Sequence, residues 1–227
     1  MMNFIHNYFG LGHATVSTIL IFLLIYIYKY KNSIDFSRLI LPICTLDLVT
    51  YYYYIISFEP ENLINLLPFH LCFLTEIMIF LKILFNFQFN LNFIFLNSVV
   101  GSIAGLVNNN LTSEMHYIFF LHHYLAHFVL ALFAIVNLDK VRLKYSDLKL
   151  SVFKTSLLLT FAFIFNTIFD TNYWFTNEKP YGNNLSLLFP ERPWYLIILI
   201  CLGLLIYLIT FLSLKSYRKK QNYYVHI

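Results

Sequence analysis

Apolar runs of about twenty residues recur along the chain between short polar segments, and each can cross about 30 Å of hydrocarbon as a helix. Seven spans follow, at residues 14 to 28, 39 to 58, 63 to 85, 91 to 107, 117 to 138, 150 to 169 and 194 to 214. Helix is the state that pairs every backbone group in lipid, and the alternation of a strand barrel is absent. The pattern predicts an all-α fold, a polytopic bundle of seven transmembrane helices forming one domain over residues 1–227. No soluble domain, linker or repeat interrupts it.

The charges between the spans fall on two sides. Lys29, Lys31 and Arg38 follow span one, Lys82 ends span three, Lys140 to Lys154 surround the loop before span six, and Lys215 to Lys220 follow span seven. Thirteen of the fifteen Lys and Arg residues thus share one side, with Lys179 and Arg192 alone on the other beside Glu59, Glu61, Glu114, Glu178 and Glu191. The bias predicts a cytoplasmic C-terminus and an external N-terminus. Span one, preceded by no Lys or Arg and followed by a basic pair, is expected as a retained anchor of a multi-pass plasma-membrane protein.

Composition narrows the function classes. At 59% hydrophobic and 11% charged residues the chain is not an ordinary soluble domain. Its richness in Phe, Ile, Asn, Tyr, Lys and Leu matches an A/T-rich coding sequence, which discounts the Tyr51 to Tyr54 run. The net charge of +4 sits in short loops where topology explains it, so no nucleic-acid partner is implied. Cys44, Cys72 and Cys201 lie inside spans without a close-spaced motif, so neither a disulfide framework nor a zinc ribbon is expected. Cys44 and Cys201 read as small packing residues.

The polar residues within the spans crowd toward the external side, and ionisable groups in hydrocarbon usually mark function. His70 and Cys72 fall a few turns below the outer end of span three, with His123 and His127 at similar depth in span five. Asp47 and Glu76 lie deeper, while His13, Asn108 to Asn110, Asn166, Asp170 and Asn172 ring the outer ends. His116, His123 and His127 follow an i, i+7, i+11 spacing, and Cys72 with Glu76 and Asn166 with Asp170 are i, i+4 pairs. An unpaired acid at a helix centre costs about 2.5 to 3.5 kcal/mol on insertion scales, so Asp47 and Glu76 are expected protonated, paired or facing water. The structural alternatives are a buried acid pair for Asp47 and Glu76 and interhelical hydrogen bonding for His122, His123 and His127. Ser98, Gly101, Ser102 and Gly105 form a small-residue ridge suited to close helix packing, Pro42 and Pro68 are expected to kink their helices, and Trp194 and Tyr195 read as interfacial anchors.

Phe9-Gly10 with His13, Pro68-Phe69-His70-Leu71-Cys72, His122-His123-Tyr124, Asn166, Thr171-Asn172-Tyr173, Lys179-Pro180 and Pro193-Trp194-Tyr195 extend over nearly the whole chain. In their order and spacing the sequence resembles the YwaF-like bacterial integral membrane proteins, which have eukaryotic relatives acting as acyltransferases in ether-phospholipid remodelling. The resemblance implies acyl transfer through a cysteine thioester, with Cys72 at the nucleophile position and His123 at the span-five histidine. The double histidine leaves His122 and His123 both open for that role, and Phe73 stands where many relatives are expected to carry a polar or acidic residue.

The chemistry this implies is coherent. A thiol attacks as thiolate, and a neighbouring base compensates for burial. His123 is expected to take the Cys72 proton, Asp47 or Glu76 to orient the imidazole, and Asn172, Asn166 or His70 to donate to the oxyanion. His13, Asn166, Tyr173, Trp194 and His127 are the expected substrate contacts. The donor would be an outer-leaflet phospholipid and the acceptor a lysolipid or a lipoprotein amine, with no cofactor. The alternative is a metal-dependent lipid hydrolase with zinc on His123, His127, His70 and Asp47 around a water. A transporter or a non-enzymatic membrane protein ranks third, because a through-path needs polar groups in the inner half as well.

Overall fold

The computed structural model describes the backbone of residues 2–107, 111, 115–180 and 185–225, with side chains from residue 12 to residue 218 within those ranges. The Phe9 side chain, Asn108 to Asn110, Glu114 and the side chains of Lys219 and Lys220 lie outside the described residues. Among the described residues there are seven α-helices and no strands: α1 Met2–Tyr30, α2 Ser37–Phe58, α3 Leu71–Leu84, α4 Leu91–Val107, α5 Tyr117–Asn137, α6 Tyr145–Phe169 and α7 Trp194–Val225.

Five of these are long and apolar enough to cross a membrane: Gly12–Tyr30 within α1, α2, α5, α6, and Trp194–Arg218 within α7. The 17-residue α4 is apolar but spans only about 25 Å, and the 14-residue α3 about 21 Å, both short of the hydrocarbon thickness. The molecule is therefore a multi-pass helical membrane protein in which α3 and α4 are shorter than the other five helices.

Span three differs most from the sequence expectation of 63 to 85. Residues Pro60–Asn65 form a 3-10 helix and the chain stays irregular to His70 before α3 begins. Pro68 precedes the helix rather than kinking it, because proline lacks an N–H and disfavours helical geometry in the residue before it. The irregular stretch is tied down by protein groups: Tyr173 Oη donates to the Ile64 carbonyl at 2.6 Å and Trp174 Nε1 to the Phe69 carbonyl at 2.6 Å. Pro42, in contrast, does lie inside α2.

The most buried element is α5, whose Val129, Leu130 and Leu132 are almost fully enclosed in a core shared with Ile27, Ile40, Cys44, Ile79 and Ile94. Its neighbour α4 presents Ser98, Gly101, Ser102 and Gly105, all buried, in line with the small-residue ridge. The basic ends gather at one end of the bundle. Lys31 at the end of α1 pairs with Asp139 after α5, Tyr217 Oη of α7 donates to the same carboxylate at 3.0 Å, and Arg218 lies 3.9 Å from it. Asn92 at the start of α4 donates to the Arg142 carbonyl at 3.1 Å.

Candidate functional site

Cys72 sits in the first turn of α3, with His70 as the N-cap residue. The first intrahelical bond there runs from the Leu74 N–H to the His70 carbonyl at 3.0 Å, so the amides of Leu71, Cys72 and Phe73 precede the hydrogen-bonded ladder. The Cys72 sulfur lies against the Phe73 backbone N–H. Free amides and the positive end of a helix dipole favour negative charge on a sulfur placed there. The thiol is thus at a helix start, not several turns inside a continuous span.

Behind Cys72 is α4. A Cβ placed on Gly101 would stand 3.6 Å from the Cys72 Cβ and 2.7 Å from Leu130 Cδ1, and one on Gly105 would stand 2.1 Å from the His127 ring. The two glycines, one turn apart, therefore let Cys72 and His127 approach the same backbone face. His123 donates from Nε2 to the Gly105 carbonyl at 3.0 Å, which fixes the proton on that nitrogen and leaves Nδ1 as an acceptor. The His123 and His127 rings are 4.6 Å apart, and His127 Nδ1 is buried without a hydrogen-bond partner. His13 of α1 closes this face: its Nδ1 pairs with Tyr124 Oη at 2.9 Å, and its ring centre lies 6.4 Å from that of His123.

The other side of α5 holds a different cluster. His122 Nδ1 is 2.8 Å from Asp47 Oδ2, and the imidazole packs on both Tyr51 and Phe73, each with its ring centre 4.0 Å away. Phe73, the residue that departs from the expected polar type, is thus one wall of a histidine cage. Asp47, Glu76 and His122 each offer a ligand atom, all within 4.8 Å of one another. Asp47 therefore serves His122 and not His123, whose partner is a carbonyl. The zinc set read from sequence does not assemble: His70 is at the outer loop, His123 and His127 face α4, and Asp47 is across α5.

His116 does not join the histidine face either. It caps α5, accepting from the Ile118 N–H at 3.3 Å, and stacks on Tyr54 with ring centres 4.4 Å apart.

The loop after α6 covers the start of α3. The Asn166 amide donates to the Tyr173 carbonyl at 2.8 Å and to Thr176 Oγ1 at 2.7 Å, while its oxygen accepts from Thr171 Oγ1 at 2.6 Å and from the Tyr173 N–H at 2.9 Å. With all four positions used, it organises the loop and has none left for a substrate or an oxyanion. Asn172 uses three of its four positions in the same loop, accepting from the N–H groups of Asn177 and Glu178 at 3.1 Å each and donating to the Glu178 carbonyl at 3.0 Å. Tyr173 is buried, with its hydroxyl on the Ile64 carbonyl. Trp174 and Phe175 hold positive φ of 57° and 55°, a costly conformation for such side chains. The constraint presents the Trp174 N–H to His70 Nδ1 at 3.3 Å. Trp194 is 61% exposed at the start of α7, as an interfacial anchor is, while Tyr195 is buried and donates to the Phe175 carbonyl at 2.8 Å.

Several participants were not singled out from sequence. Tyr51 was discounted as part of a compositional run, and Trp174 was not named. Gly101 and Gly105 were assigned to packing, although their i, i+4 spacing beside a histidine-bearing helix carried the signal for the close approach.

Comparison with curated proteins found no match, and comparison with solved structures found none either. A model of one family, described as the TMEM164 family, matches residues 3–211. With nearly the whole chain matched and the helical membrane architecture in hand, the protein belongs to the TMEM164 family of membrane proteins.

Proposed function

We propose that the protein is a membrane acyltransferase that carries a fatty acyl chain as a thioester on Cys72. One observation supports this above the rest: the thiol stands at the free-amide start of α3 and shares the Gly101 and Gly105 face of α4 with His123 and His127. The Cys72 Cβ lies next to Gly101 and the His127 ring next to Gly105, one turn apart on α4.

The reaction balances with these groups. The Cys72 proton passes to a lone pair of the His123 and His127 pair, and the thiolate attacks the ester carbonyl of an outer-leaflet phospholipid. Negative charge develops on the carbonyl oxygen, where the first-turn amides of α3 are the available donors. The carbon–sulfur bond forms, the ester carbon–oxygen bond breaks, and the histidine proton leaves with the lysolipid alkoxide. A lysolipid hydroxyl or a lipoprotein amine then attacks the thioester, giving its proton to the histidine pair and returning the thiol. Asp47 and Asn166 have no part in this scheme, since Asp47 pairs with His122 and Asn166 uses all four of its positions in the loop. The charge bias argues for a plasma-membrane protein with seven membrane-embedded helices, an external N-terminus and a cytoplasmic C-terminus. That topology puts the thiol near the external leaflet and no cofactor is required.

The test is the intact mass of the protein from its own membranes, before and after neutral hydroxylamine, with peptide mapping. An acyl mass on Cys72, removed by hydroxylamine and absent in Cys72→Ala but retained in Cys201→Ala, is expected. Lysolipid-dependent loss of that mass would identify the acceptor. Unchanged acyl transfer in Cys72→Ala would overturn the proposal.

A further inference from the structure

The carboxylates on the α2 and α3 side of α5 are unusual in what they lack. Glu76 has no exposed surface and Asp47 is 1% exposed, yet both Glu76 oxygens and Asp47 Oδ1 have no hydrogen-bond partner. Only Asp47 Oδ2 is engaged, by His122 Nδ1. Buried oxygens without partners are costly and usually point to a group that completes them.

Protons satisfy this cluster incompletely. A proton shared between the Glu76 and Asp47 carboxyls, which lie against each other, would occupy one oxygen of each and leave the second Glu76 oxygen without a partner. Two ionised carboxylates facing one imidazolium would leave a net negative charge inside an apolar bundle. A divalent cation with neutral His122 cancels both carboxylate charges and takes up the free oxygens. We infer that Asp47, Glu76 and His122 form a binding site for a divalent first-row transition cation.

The geometry suits such an ion. Zinc-class metals bind imidazole nitrogen and carboxylate oxygen at about 2.0–2.2 Å, which separates neighbouring ligand atoms by roughly 3.3–3.5 Å in a tetrahedron. The three ligand atoms here lie within 4.8 Å of one another, with one pair at 2.8 Å, so they bracket that spacing. The nitrogen donor favours a transition metal over magnesium or calcium, which prefer all-oxygen shells. Tyr51 and Phe73 both pack on the imidazole and touch each other, which restricts its orientation. The ion would join α2, α3 and α5 one turn along α3 from Cys72, bracing the helix that carries the thiol. It is separate from the His123 and His127 face, and the inference stands whether or not Cys72 is acylated.

The experiment uses the full chain purified in detergent without chelator. Elemental analysis should find one divalent transition metal ion per chain. After chelator treatment, Zn2+ should raise the melting temperature and Co2+ should give visible ligand-field bands of a nitrogen and oxygen site. Glu76→Gln and Asp47→Asn should weaken Zn2+ binding by about a hundredfold or more, beyond the 10–100-fold typical of outer-shell partners, while His123→Ala leaves it unchanged. If the acid variants do not fold, the Zn2+ and Co2+ titrations of the unmodified chain decide alone. A folded, metal-free protein with no thermal or spectral response to either ion would overturn the site. Acylation of Cys72 is read separately, by mass.

Discussion

His122 and His123 are adjacent in sequence, yet α5 turns them about 100° apart, toward different helices and into different chemistry. His122 enters a closed cage of Tyr51 and Phe73 with an acidic partner, Asp47, from α2. His123 meets a backbone carbonyl of α4, with His13 across from it and, one turn along α5, His127, whose ring needs Gly105 for its seat. One side is built to hold charge, whereas the other leaves histidine lone pairs beside a thiol-bearing helix. Neighbouring identical side chains thus acquire different roles through the helix that each one faces.

The largest expected effect breaks the second side alone. In Gly105→Ala a Cβ would stand 2.1 Å from the His127 ring, so the ring must leave or α4 must retreat. Overpacking of this kind costs about 1–3 kcal/mol, occasionally more. Thermal melting should drop accordingly and Cys72 acylation should fall with it. His127→Ala in the same chain should recover most of the stability but not the acylation, a double-mutant cycle that isolates the contact. Gly101→Ala should be milder, because the atom it meets at 2.7 Å is the end of the flexible Leu130 side chain. Equal loss in both would mean that α4 packing, and not the His127 seat, decides the effect.

Asn166→Ala comes next. It strands the buried Tyr173 N–H, at about 1–3 kcal/mol for a buried unsatisfied group. The loop it organises touches Phe69 and His70 at the start of α3 through Trp174. Hydrogen exchange should rise at residues 171–178 and at the start of α3, with α5 unchanged. Faster exchange in α5 as well would show that the loop braces both histidine sides. Tyr124→Phe should have a smaller effect, about 0.5–1.5 kcal/mol, because it removes the single hydrogen bond to His13 on one side only.

Much of the fold was legible because membrane helices are written in long apolar runs. The span expected at 91 to 107 coincides with α4, and the one at 117 to 138 ends one residue beyond α5. The start of span three was misread because residues 63 to 69 are apolar enough to look helical, whereas Pro60 and Pro68 and the loop donors from Tyr173 and Trp174 dictate otherwise. The site was legible in its residue types but not in its partnerships. Spacing along α5 grouped His116, His123 and His127, yet His116 was taken by the helix cap, and which helix each histidine faces depends on packing. Asn166 and Asn172 read as site residues because polar residues at span ends invite that reading, whereas the loop after α6 takes up all four positions of Asn166 and three of Asn172.

The smallest effect should come from the far end of α5, where Asp139 is held by Lys31 of α1 and by Tyr217 of α7, with Arg218 nearby. Burial pushes this carboxyl up, but the hydrogen bonds from Lys31 and Tyr217 and the charges of Lys31 and Arg218 outweigh it and hold it below its ordinary value. A depressed carboxyl contributes stability that is complete above its unfolded value of about 3.9 and is lost as pH falls through the lower folded value. Asp139→Asn should therefore lower stability slightly at neutral pH, by roughly 0.2–1 kcal/mol for so exposed a pair, and should flatten the acid dependence of the melting temperature. The consequence is directional. Lys31 belongs to α1, the helix that brings His13 to His123, while the Asp47 and Glu76 cluster is built from α2, α3 and α5. Loosening α1 should raise the accessibility of a cysteine placed at Ser17, beside His13, and leave Zn2+ affinity untouched. A matching drop in Zn2+ affinity would mean that the two sides of α5 are coupled through its Asp139 end rather than separated by the helix itself.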